Sequence, residues 1–357
     1  MTGHNRTGQV RRAKIQSLEA GRGIAALLVT VYHFQQTISH NTYAPFWGLF
    51  EFGSAGVDFF FVLSGFIIYF VHSADVDSPH RLAHYVWKRV TRIYPLFLFV
   101  MIFVAAKAVL KHEFAWDYFI KSLLLIPQQG FPMLGPSWTL VQEMLFYGVF
   151  GVFIVSRKAG FGVVGLWLAL NIFSLTVARP VPGSLIQDSF LALTSKYNLL
   201  FVFGICVAWL VTRREIRAWR AIATTGLVLF LALGIVESTR SFSGSDFSKV
   251  VLYGLASAMI ILGLASGELS GHISAGKYWS LLGELSYPLY LSHMVLFGLM
   301  QATLTSLGLR HPDLLLLVSV ALSCGVAIIL NRYVEHPLSS ALRTLWARRT
   351  MLLPRHP

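Results

Sequence analysis

The ionisable side chains that can do chemistry in this chain lie inside long apolar runs. There each one costs at least about 2.5 kcal/mol unless it is paired or hydrated. Arg22 and His33 stand eleven residues apart in the run GRGIAALLVTVYHF. Eleven residues are close to three helical turns, so both project from one face, about 16 Å apart along its axis. Imidazole takes and returns a proton near neutral pH, which makes His33 a candidate general base; an interface histidine with a satisfied hydrogen bond is the alternative. Asp58 opens the next run, GVDFFFVLSGFIIYF. Its carboxylate either orients and charge-balances His33 or satisfies the dipole at a helix N-terminus. Ser64 and Gly65, near the middle of that run, read as close-packing residues. Glu143 is buried in GPSWTLVQEMLFY, where a carboxylate has to pair or line a wet cavity. Trp138 in the same segment marks a membrane interface or contacts substrate. The run LLGELSYPLYLSHMVLF carries Glu284, Tyr287, Pro288 and His293. Pro288 frees a backbone carbonyl, so a broken helix beside a cavity is expected there. Tyr287 and His293 are candidate substrate contacts; for His293 a second catalytic group and a structural role are the alternatives.

A second kind of chemistry is written in HYVWKRVTRIYP. Arg89 and Arg92 are i,i+3 and therefore neighbours on one helix face, with Lys88 beside them. Two guanidinium forks held together suit bidentate phosphate binding, and ordinary positive-inside anchoring is the alternative. Arg332 and Glu335, one turn apart in RYVEHPLS, read as a structural ion pair closing a bundle. The chain has no G-x-S-x-G elbow, Walker loop, dinucleotide fingerprint or H-E-x-x-H zinc site, so hydrolase, ATP-driven pump and metalloprotease readings lack support. No metal is expected.

The elements that position these residues follow from composition. Of 357 residues, 55% are hydrophobic and 13% charged, with a mean hydropathy of +0.63. A soluble domain carries about 25% charged residues. Apolar runs of about 20 residues recur, the length of a bilayer-spanning helix, and none alternates as a barrel strand does. The expectation is an all-α integral membrane protein with ten spans. They fall at about 18–38, 55–73, 93–111, 134–156, 160–178, 190–211, 219–237, 248–267, 281–306 and 313–332. The net charge of +13 sits in short clusters between those runs, a loop pattern rather than a nucleic-acid-binding one. Lysine and arginine divide 21 to 8 in favour of the side bearing the N-terminus, which places both termini in the cytoplasm. Arg11, Arg12 and Lys14 precede a run too long for a signal peptide's h-region, so an uncleaved first span is expected. The segment 112–133, with Trp116, Tyr118 and Phe119, reads as an interfacial helix or loop on the outer face. Cys206 and Cys324 lie in apolar runs and read as packed core thiols. One membrane domain fills 1–357, with a basic tail at 1–17, the bundle at 18–332 and a cytoplasmic tail at 333–357.

Six segments, in this order, resemble the membrane-bound acyltransferase-3 family: IQSLEAGRGIAALLVTVYHF, GVDFFFVLSGFIIYF, KRVTRIYP, SWTLVQEMLFY, LGELSYPLYLSH and VEHPLS. The family's first-span arginine and histidine fall on Arg22 and His33, and its two-arginine motif falls on Arg89 and Arg92. The opening LEAGRGIAA departs from the commoner LDGLRGIAA and looks closer to the exopolysaccharide-decorating subset, such as the succinoglycan acetyltransferases. The resemblance implies an O-acyltransferase of the bacterial inner membrane that moves an acyl group, acetyl foremost, from cytoplasmic acyl-CoA to a sugar hydroxyl. The acceptor would be a lipid-linked oligosaccharide or a polysaccharide. On that view Arg22, Lys88, Arg89 and Arg92 bind the donor and His33 is the base, with Glu143 or Asp58 orienting it. An acyl-histidine intermediate is the alternative route. A proton-coupled glycan transporter using the same buried His, Asp and Glu is the rival reading, although the paired broken spans of two related halves are not evident.

Overall fold

A computed structural model of the chain describes residues 15–39, 44–174, 182–239, 244–274 and 276–352. The basic residues Arg11, Arg12, Lys14, Arg179 and Arg240, and the end of the expected fifth span, lie outside the described residues. Among the described residues thirteen α-helices occur, separated in places by short 3-10 turns, and there is no strand. They are α1 (Gln16–Ser39), α2 (Ala55–His72), α3 (Leu82–Leu110), α4 (Trp116–Leu123), α5 (Trp138–Val155), α6 (Arg157–Ser174) and α7 (Leu185–Leu193). After them come α8 (Asn198–Arg213), α9 (Trp219–Ser238), α10 (Asp246–Leu269), α11 (Lys277–Ser306), α12 (Pro312–Leu330) and α13 (His336–Leu352). A π-helical turn, Asn331–Glu335, joins the last two.

Seven of the helical segments are long and apolar enough to cross a membrane: those built on α2, α3, α5, α7 with α8, α9, α10, and α12. Their outward faces are apolar, with Ile102, Leu110, Val228, Ile235, Leu255 and Leu317 all exposed, as a lipid solvent demands. A different set holds the core. Helix α1 sits inside the bundle, packed against α11, α2, α12 and α10, and α2 lies antiparallel against α8.

The α2–α8 crossing depends on two glycines. A Cβ on Gly204 would lie 1.9 Å from the Val62 carbonyl oxygen, and one on Gly65 would lie 2.2 Å from that of Phe201. Backbone meets backbone there, so no side chain can swing aside. Gly204→Ala therefore costs more than the usual 1–3 kcal/mol (about) of overpacking. The expected outcome is a Tm in detergent at least several degrees below the parent's, or loss of folded protein.

Three boundaries differ from the sequence expectation, each for a local reason. Helix α3 begins eleven residues before the expected third span, at Leu82 rather than 93, so Arg89 and Arg92 are helical and α3 runs through Pro95. Helix α11 also runs unbroken through Pro288. The Glu284 carbonyl, which that proline cannot bond, accepts instead from Asn331 Nδ2 at 3.3 Å. The expected tail contains α13, whose Trp346 stacks on Trp87 of α3 with ring centroids 5.0 Å apart. The segment 112–133 folds as α4 and a loop, pinned where Tyr118 donates to the Phe131 carbonyl at 2.8 Å. Cys206 is exposed rather than packed in the core.

Candidate active site

Helices α1 and α11 run in the same direction and touch along their length. Arg22 clamps their first contact: Nε donates to Ser286 Oγ at 2.7 Å and Nη2 to the Gly283 carbonyl at 2.6 Å. Glu19 Oε2, one turn back, lies 3.0 Å from the same Nη2. Further along the pair, His33 meets His293, with Nδ1 of the first 3.3 Å from Nε2 of the second. The two backbone carbonyls beside them fix the tautomers. His33 Nδ1 lies 2.9 Å from the Val29 carbonyl and His293 Nδ1 lies 3.2 Å from that of Leu289. A carbonyl only accepts, so each Nδ1 carries the proton. His293 Nε2 is then a lone pair facing His33 Nδ1–H, and the second lone pair of the two rings is on His33 Nε2. His293 is fully buried, whereas His33 is only partly covered.

Beside this pair lies a cavity of about 160 Å³ walled by α1, α2, α3, α5 and α11. Three guanidinium groups line it, from Arg22, Arg89 and Arg92, together with Ser64, Thr139, Glu143, Tyr147, Ser286, Tyr287 and Tyr290. Arg89 packs over the rings of Tyr147, at 5.4 Å, and Tyr85, at 5.9 Å. Its Nε is buried with no hydrogen-bond partner. Arg92 stacks over Tyr287 at 5.6 Å and pairs with Glu335 at 3.7 Å, while its side chain stays 40% exposed. Glu143 Oε1 accepts from Ser64 Oγ at 2.9 Å and from the Tyr147 hydroxyl. Tyr290 separates the cavity from the histidines: its hydroxyl contacts Thr139 Oγ1 at 2.9 Å, and its ring lies 5.9 Å from that of His293.

The structure thus brings Arg22, Arg89, Arg92, Glu143 and Tyr287 to one cavity and sets His33 with His293 behind Tyr290. His33 takes its side-chain partner from α11 rather than from Asp58 or Glu143. Asp58 is 4% exposed with Oδ1 unpartnered, and no hydrogen bond or ion pair joins it to His33 among the described residues. Glu143 is held in the cavity by Ser64 and Tyr147 instead. Ser64 is therefore a polar contact, while Gly65 is the packing residue. Trp138 does not line the cavity but packs behind its wall, against Phe61 and Tyr197, and Lys88 is exposed outside it. Glu335 pairs with Arg92, and Arg332 lies over its neighbour Tyr333, so the expected Arg332–Glu335 pair is replaced. Sequence reasoning missed Tyr147, Tyr290 and Thr139. The four-residue spacing of Tyr147 from Glu143, one turn on the same face, was the available signal for the first of them.

Comparison with known proteins bears on what this arrangement does. A profile described as an acyltransferase domain matches residues 15–332, which takes in every residue of the cavity and both histidines. The exopolysaccharide production protein ExoZ of Rhizobium meliloti is 29% identical over 276 residues, 74% of this chain and 82% of the relative. The acyltransferase MdmB of Streptomyces mycarofaciens is 26% identical over 319 residues, 80% of this chain and 79% of that one. No solved structure matches. With its apolar helices and a family match from the first helix to the π turn, the chain belongs to the acyltransferase-3 family of membrane acyltransferases.

Proposed function

We propose that the chain transfers an acyl group, acetyl foremost, from acyl-CoA to a sugar hydroxyl of an exopolysaccharide or other surface glycan in the bacterial inner membrane. The observation that carries this reading is the cavity in which three arginines converge, walled on one side by Tyr290, whose ring meets His293, the partner of His33. Arginine-rich and aromatic walls suit the phosphates of a coenzyme A thioester, and the buried, unpartnered Nε–H of Arg89 is a donor in want of an acceptor. Ten helices cross the bilayer, α1, α6 and α11 joining the seven apolar ones, and both termini face the cytoplasm. The cavity's arginine end is then the cytoplasmic one.

His33 Nε2 takes the proton of the attacking hydroxyl. The sugar oxygen forms a bond to the thioester carbonyl carbon, the C–S bond breaks, and the thiolate leaves with the proton that His33 returns. The imidazolium formed in between is stabilised by the Val29 carbonyl and the His293 Nε2 lone pair, both already facing Nδ1–H. These acceptors are fixed before the reaction, so they need not reorganise during it. Acyl groups on surface polysaccharide, counted by mass spectrometry with and without this protein, test the reading. Loss of one sugar acylation supports it, and an unchanged acylation pattern refutes it.

The arginines are tested separately. If Arg89 and Arg92 grip phosphate, lysine keeps the charge but loses the planar fork. Arg89→Lys and Arg92→Lys insert normally and each weakens donor binding by about 1–3 kcal/mol, read as a raised KM for acyl-CoA at saturating acceptor. Positive-inside anchoring reads charge alone and predicts no change.

A further inference from the structure

We infer that His72 is a positioning residue for the donor site, holding Arg89 in place through a hydrogen-bonded chain that ends at Asp75 and Arg81. The inference rests on the reading of Arg89 as part of the donor dock. Three contacts make the chain. Arg81 Nη1 donates to Asp75 Oδ1 at 2.7 Å, His72 Nδ1 donates to Asp75 Oδ2 at 2.8 Å, and Arg89 Nη2 donates to His72 Nε2 at 2.9 Å. Asp75 accepts only, so the proton of His72 is on Nδ1. Nε2 is then the lone pair that Arg89 requires. An imidazole here does what neither a carboxylate nor an amine can. It passes the orientation of an acid on the loop after α2 to a guanidinium on α3 without adding charge to the contact.

The surroundings leave little freedom to either group. His72 has no exposed surface, and the edge of its ring meets Tyr85 with centroids 5.0 Å apart. Tyr85 is itself fixed, its hydroxyl donating to the Tyr147 carbonyl at 2.9 Å. Arg89 therefore has one terminal nitrogen tied to His72 and its plane set against the two tyrosines, with its buried Nε–H unpartnered. A long side chain pinned at one nitrogen loses little further rotamer freedom when a ligand binds, which is the benefit of preorganisation. The residues responsible stand together as HSAD, with an acid three places after the histidine, at the very end of an apolar run. Their position outside the cavity distinguishes them from the groups that line it.

Two isosteric replacements separate positioning from a merely structural role. In His72→Asn the amide N–H can keep the contact to Asp75, but the side chain ends short of Arg89. In His72→Gln the carbonyl oxygen reaches the place of Nε2. The expected result is a KM for acyl-CoA raised roughly three- to tenfold in His72→Asn, with kcat little changed, and recovery of most of that loss in His72→Gln. Should His72→Asn fail to accumulate, Asp75→Asn removes the anchor from outside and is expected to raise the same KM. A parental KM in His72→Asn, or equal losses in the Asn and Gln variants with a fall in Tm, would overturn the inference. Arg89→Lys measured alongside distinguishes the two levels. If it raises KM while His72→Asn does not, only the role of His72 falls; if Arg89→Lys itself leaves KM unchanged, the donor dock falls with it.

Discussion

His33→Ala is expected to lower acyl transfer by about 10²–10⁴-fold, the contribution of a positioned general base, while the protein still inserts and folds. The side chain makes two contacts through Nδ1, to the carbonyl of its own helix and to His293. Removing it leaves the buried His293 Nε2 without a donor, a cost of about 1–3 kcal/mol, and alanine is the best helix former for the vacated position. Activity therefore falls far more than stability. His293→Phe is the informative companion. It keeps an aromatic ring against Phe34 and Tyr290 but removes the acceptor that faces the developing imidazolium. A fall in kcat of about tenfold, with KM for the donor unchanged, is expected, since that contact strengthens only as charge forms. Near-parental turnover in a folded His33→Ala protein would remove the histidine from the chemistry.

Arg22→Ala is expected to lose stability and activity together. Its guanidinium joins α1 to α11 at two points and faces Glu19, and the two side chains are only 14% and 9% exposed. Taking away one partner of a buried pair leaves a charge without compensation, at about 3–5 kcal/mol. The clamp also sets the approach of the helices that carry His33 and His293, so transfer falls even in whatever protein remains folded. Arg22→Lys keeps the charge but cannot hold both Ser286 and the Gly283 carbonyl in the same plane, so it falls between the two. A Tm and kcat near the parent's in Arg22→Ala would mean that α1 and α11 are held by packing alone. The contrast with Arg89→Lys is diagnostic, because that variant is expected to change donor affinity at unchanged Tm.

Among the described residues helices occupy the segments where a span is expected, the sixth being divided between α7 and α8, because hydropathy and length are local properties. The exceptions are instructive. Among the described residues α1 and α11, which hold the histidine pair, are not among the helices apolar enough to qualify as spans by composition. Their Glu19, Arg22, His33, Glu284 and His293 lower the apolar signal, and four of these five serve the clamp or the histidine contact. The identity of His33's partner was not legible, since the two histidines are 260 positions apart and no local pattern links them. Asp58 and Glu143 were legible as buried carboxylates, but which neighbour satisfies each depends on how α2 and α5 rotate about their axes. Packing set that rotation: Gly65 against α8 turns Ser64 toward Glu143. Pro288 predicts a break because its missing N–H is visible in the sequence, whereas nothing local shows that Asn331 takes up the freed carbonyl. His72 stands at the end of an apolar run, and the aspartate three residues on is the local mark of the pair it forms.

The central claim is tested most directly by incubating the purified, full-length protein in detergent with acetyl-CoA labelled on the acetyl group and a lipid-linked oligosaccharide extract. The account predicts label in an alkali-labile ester on the sugar, in proportion to CoA released, with the parent protein and none above background with His33→Ala. Folded parent protein that transfers no label, or a His33→Ala protein that transfers as much as the parent, would contradict it.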